Sequence, residues 1–142
     1  MERKTTDELL QEIQNEKSFE RFMSRNEENF ETKKFTEYLN DLCRKKELIP
    51  EQVIKAAQID RTYGHQLFNG TRRPSRDKVI QLAIAFELSV DDTQELLRVA
   101  GRNELYPRIR RDAAIIFGLS KHMEMQQMQE FLASLDISIL GE

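Results

Sequence analysis

Arg61, Thr62, His65 and Gln66 stand at i, i+1, i+4 and i+5, so a helix carrying them turns all four to one side. Their chemistry is that of reading a hydrogen-bond pattern. An Arg fork can grip guanine with two parallel hydrogen bonds, and a Gln amide can do the same with adenine. Immediately beyond them Asn69, Gly70, Thr71, Arg72 and Arg73 gather backbone and side-chain donors suited to phosphate oxygens. Tyr63 adds a ring that could pack on a sugar-phosphate backbone or on a thymine methyl. An ordinary solvated helix face followed by a solubilising loop has the same composition, so the flanking elements decide between the two readings.

Those elements read as helices throughout, with only 5 Gly and 3 Pro and no alternating β-rich run. Within FTEYLNDLCRKK, Phe35, Tyr38, Leu39 and Leu42 recur at i, i+3, i+4 and i+7, an inward stripe. Pro50 suits the first turn of the next helix, because its missing N–H is unpaired there in any case; Val53, Ile54 and Ala57 face inward. Asp60 is the expected N-cap of the helix that starts at Arg61, and Asn69-Gly70 ends it in the left-handed region. Ser75 caps a helix with Val79, Ile80, Leu82, Ala83 and Phe86. Ser89 caps another with Leu96, Leu97 and Val99, which Gly101 ends. The segment 49–75 is therefore helix, tight turn, helix and basic loop, the build of a helix-turn-helix DNA reader.

Three domains are expected. Residues 1–31 form an acidic N-terminal helical arm, its first helix opened by Thr5 and Glu8 at capping-box spacing and striped by Leu9, Leu10 and Ile13. A short second piece carries Phe19, Phe22 and Met23, and Arg25 to Lys34 reads as a polar linker or a weakly held helix start. Residues 32–101 form a five-helix domain. Residues 102–142 form a helical hairpin packed on it: Pro107 opens one helix with Ile109, Ala113, Ile116 and Phe117, and a last helix carries Met125, Met128, Phe131, Leu132 and Leu135. This pair looks like a repeat of the preceding one at an offset of 35 residues. Arg76-Asp77 matches Arg111-Asp112, Ile80 matches Ile115, Ile84 matches Leu119, Gln94-Glu95 matches Gln129-Glu130, and Leu105 matches Leu140. Chance agreement between two amphipathic hairpins is the competing explanation.

Charge is unevenly spread over a chain of net charge −3. Residues 1–32 carry 5 basic and 9 acidic side chains, and residues 33–101 carry 12 and 10. Around the candidate reading helix, residues 60–78 hold Arg61, Arg72, Arg73, Arg76 and Lys78 against Asp60 and Asp77. The local sign suits phosphate although the global sign does not. Arg108, Arg110 and Arg111 read as a solvated helix start with one Arg paired to Asp112. Cys43, the one cysteine, excludes an intrachain disulfide and reads as a small buried hydrophobe. The methionines Met123, Met125 and Met128 read as core filling rather than an adaptable partner surface.

Enzyme chemistry finds no foothold. His65 and His122 are not in a ligand-spaced cluster, so no metal site is expected. There is no Gly-rich phosphate loop and no nucleophile elbow, so no catalytic residue and no cofactor is assigned. No apolar run spans a bilayer and the N-terminus lacks an apolar signal core, so no membrane association and a cytoplasmic location are expected.

The stretch LFNGTRRPS and the following KVIQLAIAFELSVDDTQELL resemble the phage-repressor-like helix-turn-helix family, the Cro/C1 or XRE type, over roughly residues 35–99. The resemblance implies an all-α, repressor-like five-helix domain. It implies base contacts from Arg61, Thr62, His65 and Gln66 and phosphate contacts from Asn69, Thr71 and Arg72. Tyr63 and Arg73 join the phosphate set on the residue reading above. From about Tyr63 through Phe117 the chain also looks like small Gram-positive bacterial proteins of this type, with PSRDK and LYPRIRRD segments. It departs from the family in four places. Ile54 stands where a small Ala is usual and Gly64 where a large apolar residue is usual. These positions normally touch, so the pair reads as a volume swap. Gln58 replaces a turn Gly, and Pro50 replaces a polar residue that contacts phosphate.

Two functions are carried forward. The first is a sequence-specific regulator of transcription that binds double-stranded DNA through the helix starting at Arg61, as a homodimer spanning two half-sites. In that reading the acidic arm and the C-terminal helix pair serve dimerisation or bind a protein partner. The second is a non-enzymatic protein-interaction adaptor on the same scaffold, favoured by the acidic balance and by Gly64 inside the reading helix. Acidic side chains lying over the basic face would favour the adaptor or an autoinhibited regulator.

Overall fold

The computed structural model describes residues 4–25 and 35–141, and among these every regular element is an α-helix. In chain order they are α1 (Thr6–Asn15), α2 (Phe19–Arg25), α3 (Phe35–Lys46), α4 (Pro50–Ala56), α5 (Arg61–Asn69), α6 (Arg76–Ala85), α7 (Val90–Val99), α8 (Arg110–Ser120) and α9 (Met125–Ser134). The chain divides into two compact units, Met1–Thr32 and Lys33–Glu142. The stretch read as a linker lies, from residue 26 to residue 34, outside the described residues.

In the first unit the expected capping box opens α1. The Glu8 N–H donates to Thr5 Oγ1 at 3.1 Å, and the Thr5 N–H donates to Glu8 Oε2 at 3.3 Å. Lys4 pairs with Glu12, and Arg25 pairs with Glu16. Phe22 is buried and stacks on Phe19, ring centroids 6.2 Å apart. Of the apolar residues read on these two helices, Leu10, Ile13, Phe19 and Met23 are exposed.

In the second unit α4, α5, α6 and α7 each start where a local donor is satisfied. Gln52 reaches back to the Ile49 N–H, with Pro50 in the first turn of α4. Asp60, Ser75 and Ser89 accept from the N–H groups of Tyr63, Lys78 and Asp92. Gly70 (φ +84°) and Gly101 (φ +72°) provide left-handed stops. The core is continuous from Leu39 and Cys43 through Val53, Ile54, Leu67, Val79, Ile80, Leu82, Leu96 and Leu97 to Ile115, Met128 and Leu132. Within it α3 packs on α5 and α7, α4 on α5 and α6, α6 on α7 and α9, α7 on α8, and α8 on α9. Cys43 is buried, and burial raises its thiol pKa. Met125 and Met128 are core, and Met123 packs against it.

The residues matched at an offset of 35 make matched bonds. Arg76 donates to the carbonyls of Asn103 and Glu104, and Arg111 to those of Ser138 and Ile139. The Gln94 amide exchanges hydrogen bonds with the backbone of Leu105, and the Gln129 amide does so with Leu140, at 2.7–2.8 Å. The hairpins then clasp each other reciprocally. Arg76 makes a two-pronged bond to Asp112 at 2.8 and 2.9 Å, and Arg111 makes one to Asp77 at 2.9 and 3.0 Å. Asp112 also accepts the Tyr106 N–H, and Asp77 the Gly141 N–H. Reciprocal contact of this kind, with α6 on α9 and α7 on α8, is the signature of an approximate two-fold axis, not of head-to-tail stacking.

Three expectations are corrected. Asp112 pairs with Arg76, not with an Arg of its own cluster, because the clasp crosses between hairpins. Pro107 does not open α8. It lies in a turn closed by the Ile109 N–H on Tyr106 O at 3.0 Å, and the helix begins at Arg110. The inward face of α8 is Asp112, Ala114, Ile115, Gly118 and Leu119, while Ile109 and Phe117 are exposed. At Gly118 a β-carbon would meet the flexible end of the Met128 side chain.

Candidate nucleic-acid interface

The position of α5 is fixed at both ends. At its start, Asp60 caps it and the preceding turn places Gln58 in the left-handed region at φ +55°. A non-glycine residue in that region carries a conformational cost. Gln81, buried, donates to Ala57 O at 3.0 Å and ties that turn to α6. At its end, Asn40 on α3 donates to Phe68 O at 3.2 Å. Gly64 faces Ile54 so closely that a β-carbon would come within 2.5 Å of Ile54 Cγ2. The isoleucine occupies the space a side chain at position 64 would take.

The helix presents the residues singled out from the sequence unevenly. Arg61 and Thr62 are exposed, His65 and Gln66 are half-buried, and Leu67 and Phe68 turn into the core. Tyr63 is half-buried and its ring is a shelf for cations, with Arg72 Cζ 4.2 Å and Lys78 Nζ 5.6 Å from its centroid. Asn69, Thr71, Arg72 and Arg73 are exposed. The Asn69 side chain is used locally, accepting the Thr71 N–H at 3.0 Å and the Thr71 hydroxyl. The loop is further held by the Arg72 N–H on Gln66 O at 3.3 Å and by Arg102 on Pro74 O at 3.0 Å. A shallow hollow of about 220 Å³ runs from Phe35 and Thr36 past Arg72 and Arg73 to Gly101.

One residue of the face escaped the sequence reading. Glu51, in the first turn of α4, accepts from Arg61 Nε at 2.5 Å through Oε1 and meets His65 Nε2 at 2.5 Å through Oε2. The Arg61 hydrogen bond, then that of His65, holds its carboxyl below the usual carboxylate range. The contacts join residues 10 and 14 apart in sequence, so no local pattern announces them; only the crossing of α4 over α5 does.

Among the described residues no group of three or more His, Cys, Asp or Glu side chains could hold a metal ion, and no helix is long and apolar enough to cross a membrane. Comparison with family models, with curated proteins and with solved structures gives no match.

Proposed function

We propose that the chain is a sequence-specific DNA-binding regulator of transcription, a divergent bacterial relative of the repressor-like helix-turn-helix proteins acting in the cytoplasm. In this reading α3–α7 form the five-helix domain, α4 lies across the sugar-phosphate backbone, and α5 enters the major groove. Arg61, Thr62, His65 and Gln66 read base edges. Tyr63, Asn69, Thr71, Arg72 and Arg73 hold the backbone and set register. The observation that carries the proposal is the cationic edge that Arg72 and Lys78 make on the Tyr63 ring, directly beside the exposed start of α5. Two copies on half-sites a helical turn apart would supply the affinity that one small reader lacks.

The test is selection of random duplexes by the purified protein, followed by a salt titration. An enriched site bound with affinity that falls steeply as salt rises is expected. Arg61→Ala together with Gln66→Ala should abolish the site preference with the fold intact by circular dichroism. No enriched sequence and no salt-dependent binding would leave the adaptor as the better reading. That second reading is favoured by the exposed apolar residues Leu10, Ile13, Phe19 and Met23 on the arm, side chains suited to an apolar partner.

A further inference from the structure

We infer that Glu51 is a specificity-determining residue of this face, positioning Arg61 and His65 for bases and turning them away from phosphates; the inference rests on the DNA-reading proposal above. The bond to Arg61 uses Nε, which leaves uncommitted the two terminal nitrogens that can span guanine O6 and N7. The Arg61 side chain is 78% exposed, and among the described residues Glu51 is the partner that fixes its direction. A carboxylate only accepts, so His65 Nε2 is the donor in its contact with Glu51. In the neutral ring Nδ1 is then the acceptor, a group that can take a hydrogen bond from the amino group of adenine or cytosine. The carboxylate itself repels phosphate, one residue beyond Pro50, which stands where the resembled family has a phosphate-binding polar side chain. Sequence discrimination rises because a phosphate must approach against this charge, whereas a base edge bonds to the outward nitrogens.

The experiment measures Kd for the duplex enriched from the random pool and for a random-sequence duplex of equal length. It does so at several salt concentrations, on the full chain and on Glu51→Gln and Glu51→Asp. Glu51 is exposed, so both variants are expected to fold, and their thermal melts serve as the control. Glu51→Gln should bind the random duplex about 3-fold more tightly and lose about 10-fold in the ratio of selected to random affinity, the scale of one two-pronged base contact. Glu51→Asp, one methylene shorter, should keep the charge but lose part of the ratio. A merely structural Glu51 would shift both duplexes equally. A ratio unchanged in Glu51→Gln while the wild-type chain selects a site overturns this inference alone. Absence of binding to every duplex by wild type and variants overturns the DNA reading and the inference together.

Discussion

At the scale of single residues, the Ile54–Gly64 pair decides whether α5 can form. A helix interior glycine costs about 1 kcal/mol relative to alanine, and the chain tolerates it because Ile54 Cγ2 stands 2.5 Å from where a β-carbon would be. Two opposed terms follow for Gly64→Ala: about 1 kcal/mol gained in propensity and about 1–3 kcal/mol lost to overpacking. Ile54 is buried and packed on its neighbours, so overpacking wins and the single variant should be less stable by about 1 kcal/mol. In an Ile54→Ala background the clash is gone, and the same substitution should stabilise by about 1 kcal/mol. Urea unfolding of the four proteins measures this, and a sign that does not reverse would show that the contact is not the cause. Both residues were legible as a swap because each broke the pattern of the resembled family at positions that touch. Glu51 was not legible: as an acid in a helix's first turn it has an ordinary local explanation, and its partners come from another helix.

At the scale of elements, helix boundaries were largely readable and helix faces less so. Caps are local, so Thr5, Asp60, Ser75, Ser89 and Gly70 could be placed from short patterns. The face of α8 was missed because its sequence is apolar over two arcs, one through Ile109, Ala113, Ile116 and Phe117 and one through Ile115 and Leu119. Periodicity alone cannot rank them. The offset correspondence does, since Ile80 and Ile84 are buried and their counterparts Ile115 and Leu119 are too. The clasp between hairpins makes its own prediction. Burial pushes the Asp112 and Asp77 carboxyls up, but the hydrogen bonds from Arg76 and Arg111, those from the Tyr106 and Gly141 N–H groups and the nearby guanidinium charges together outweigh it and hold both below the usual range. A carboxyl depressed in the folded state contributes stability that is fully present above the unfolded value, about 3.9, and is lost as pH falls through the folded one. Asp112→Asn should therefore cost about 3 kcal/mol near neutrality, where it leaves Arg76 without its charge partner. It should also lose less than the wild type between about pH 4 and pH 2. Asp77→Asn should cost less, since Asp77 is 21% exposed and Asp112 only 2%. Unfolding curves at pH 7 and along the acid limb check the order and the slope.

At the scale of the whole molecule, the charge is divided between the two units rather than averaged. Residues 1–32 hold 9 acidic and 5 basic side chains, while the second unit holds Arg61, Arg72, Arg73 and Lys78. A net charge of −3 would ordinarily slow approach to a polyanion, and the proposed reader must collect DNA against that field. Field effects at a distance are screened over about 10 Å at 0.1 M salt, whereas contacts made on the surface persist. Neutralising the arm by Glu8→Gln, Glu12→Gln, Glu16→Gln and Glu20→Gln lowers the net negative charge and substitutes none of the residues proposed to meet DNA. The association rate with the selected duplex should then rise several-fold at about 0.02 M salt and converge on the wild-type rate at about 0.5 M salt. The dissociation rate should change little at either salt, because it reports contacts within the complex. Stopped-flow mixing separates the two rates. An accelerated association that persists at high salt, or a slowed dissociation, would mean that the arm's carboxylates compete for the DNA-binding face directly, and the arm would then be an inhibitory segment rather than a contributor to the net field alone.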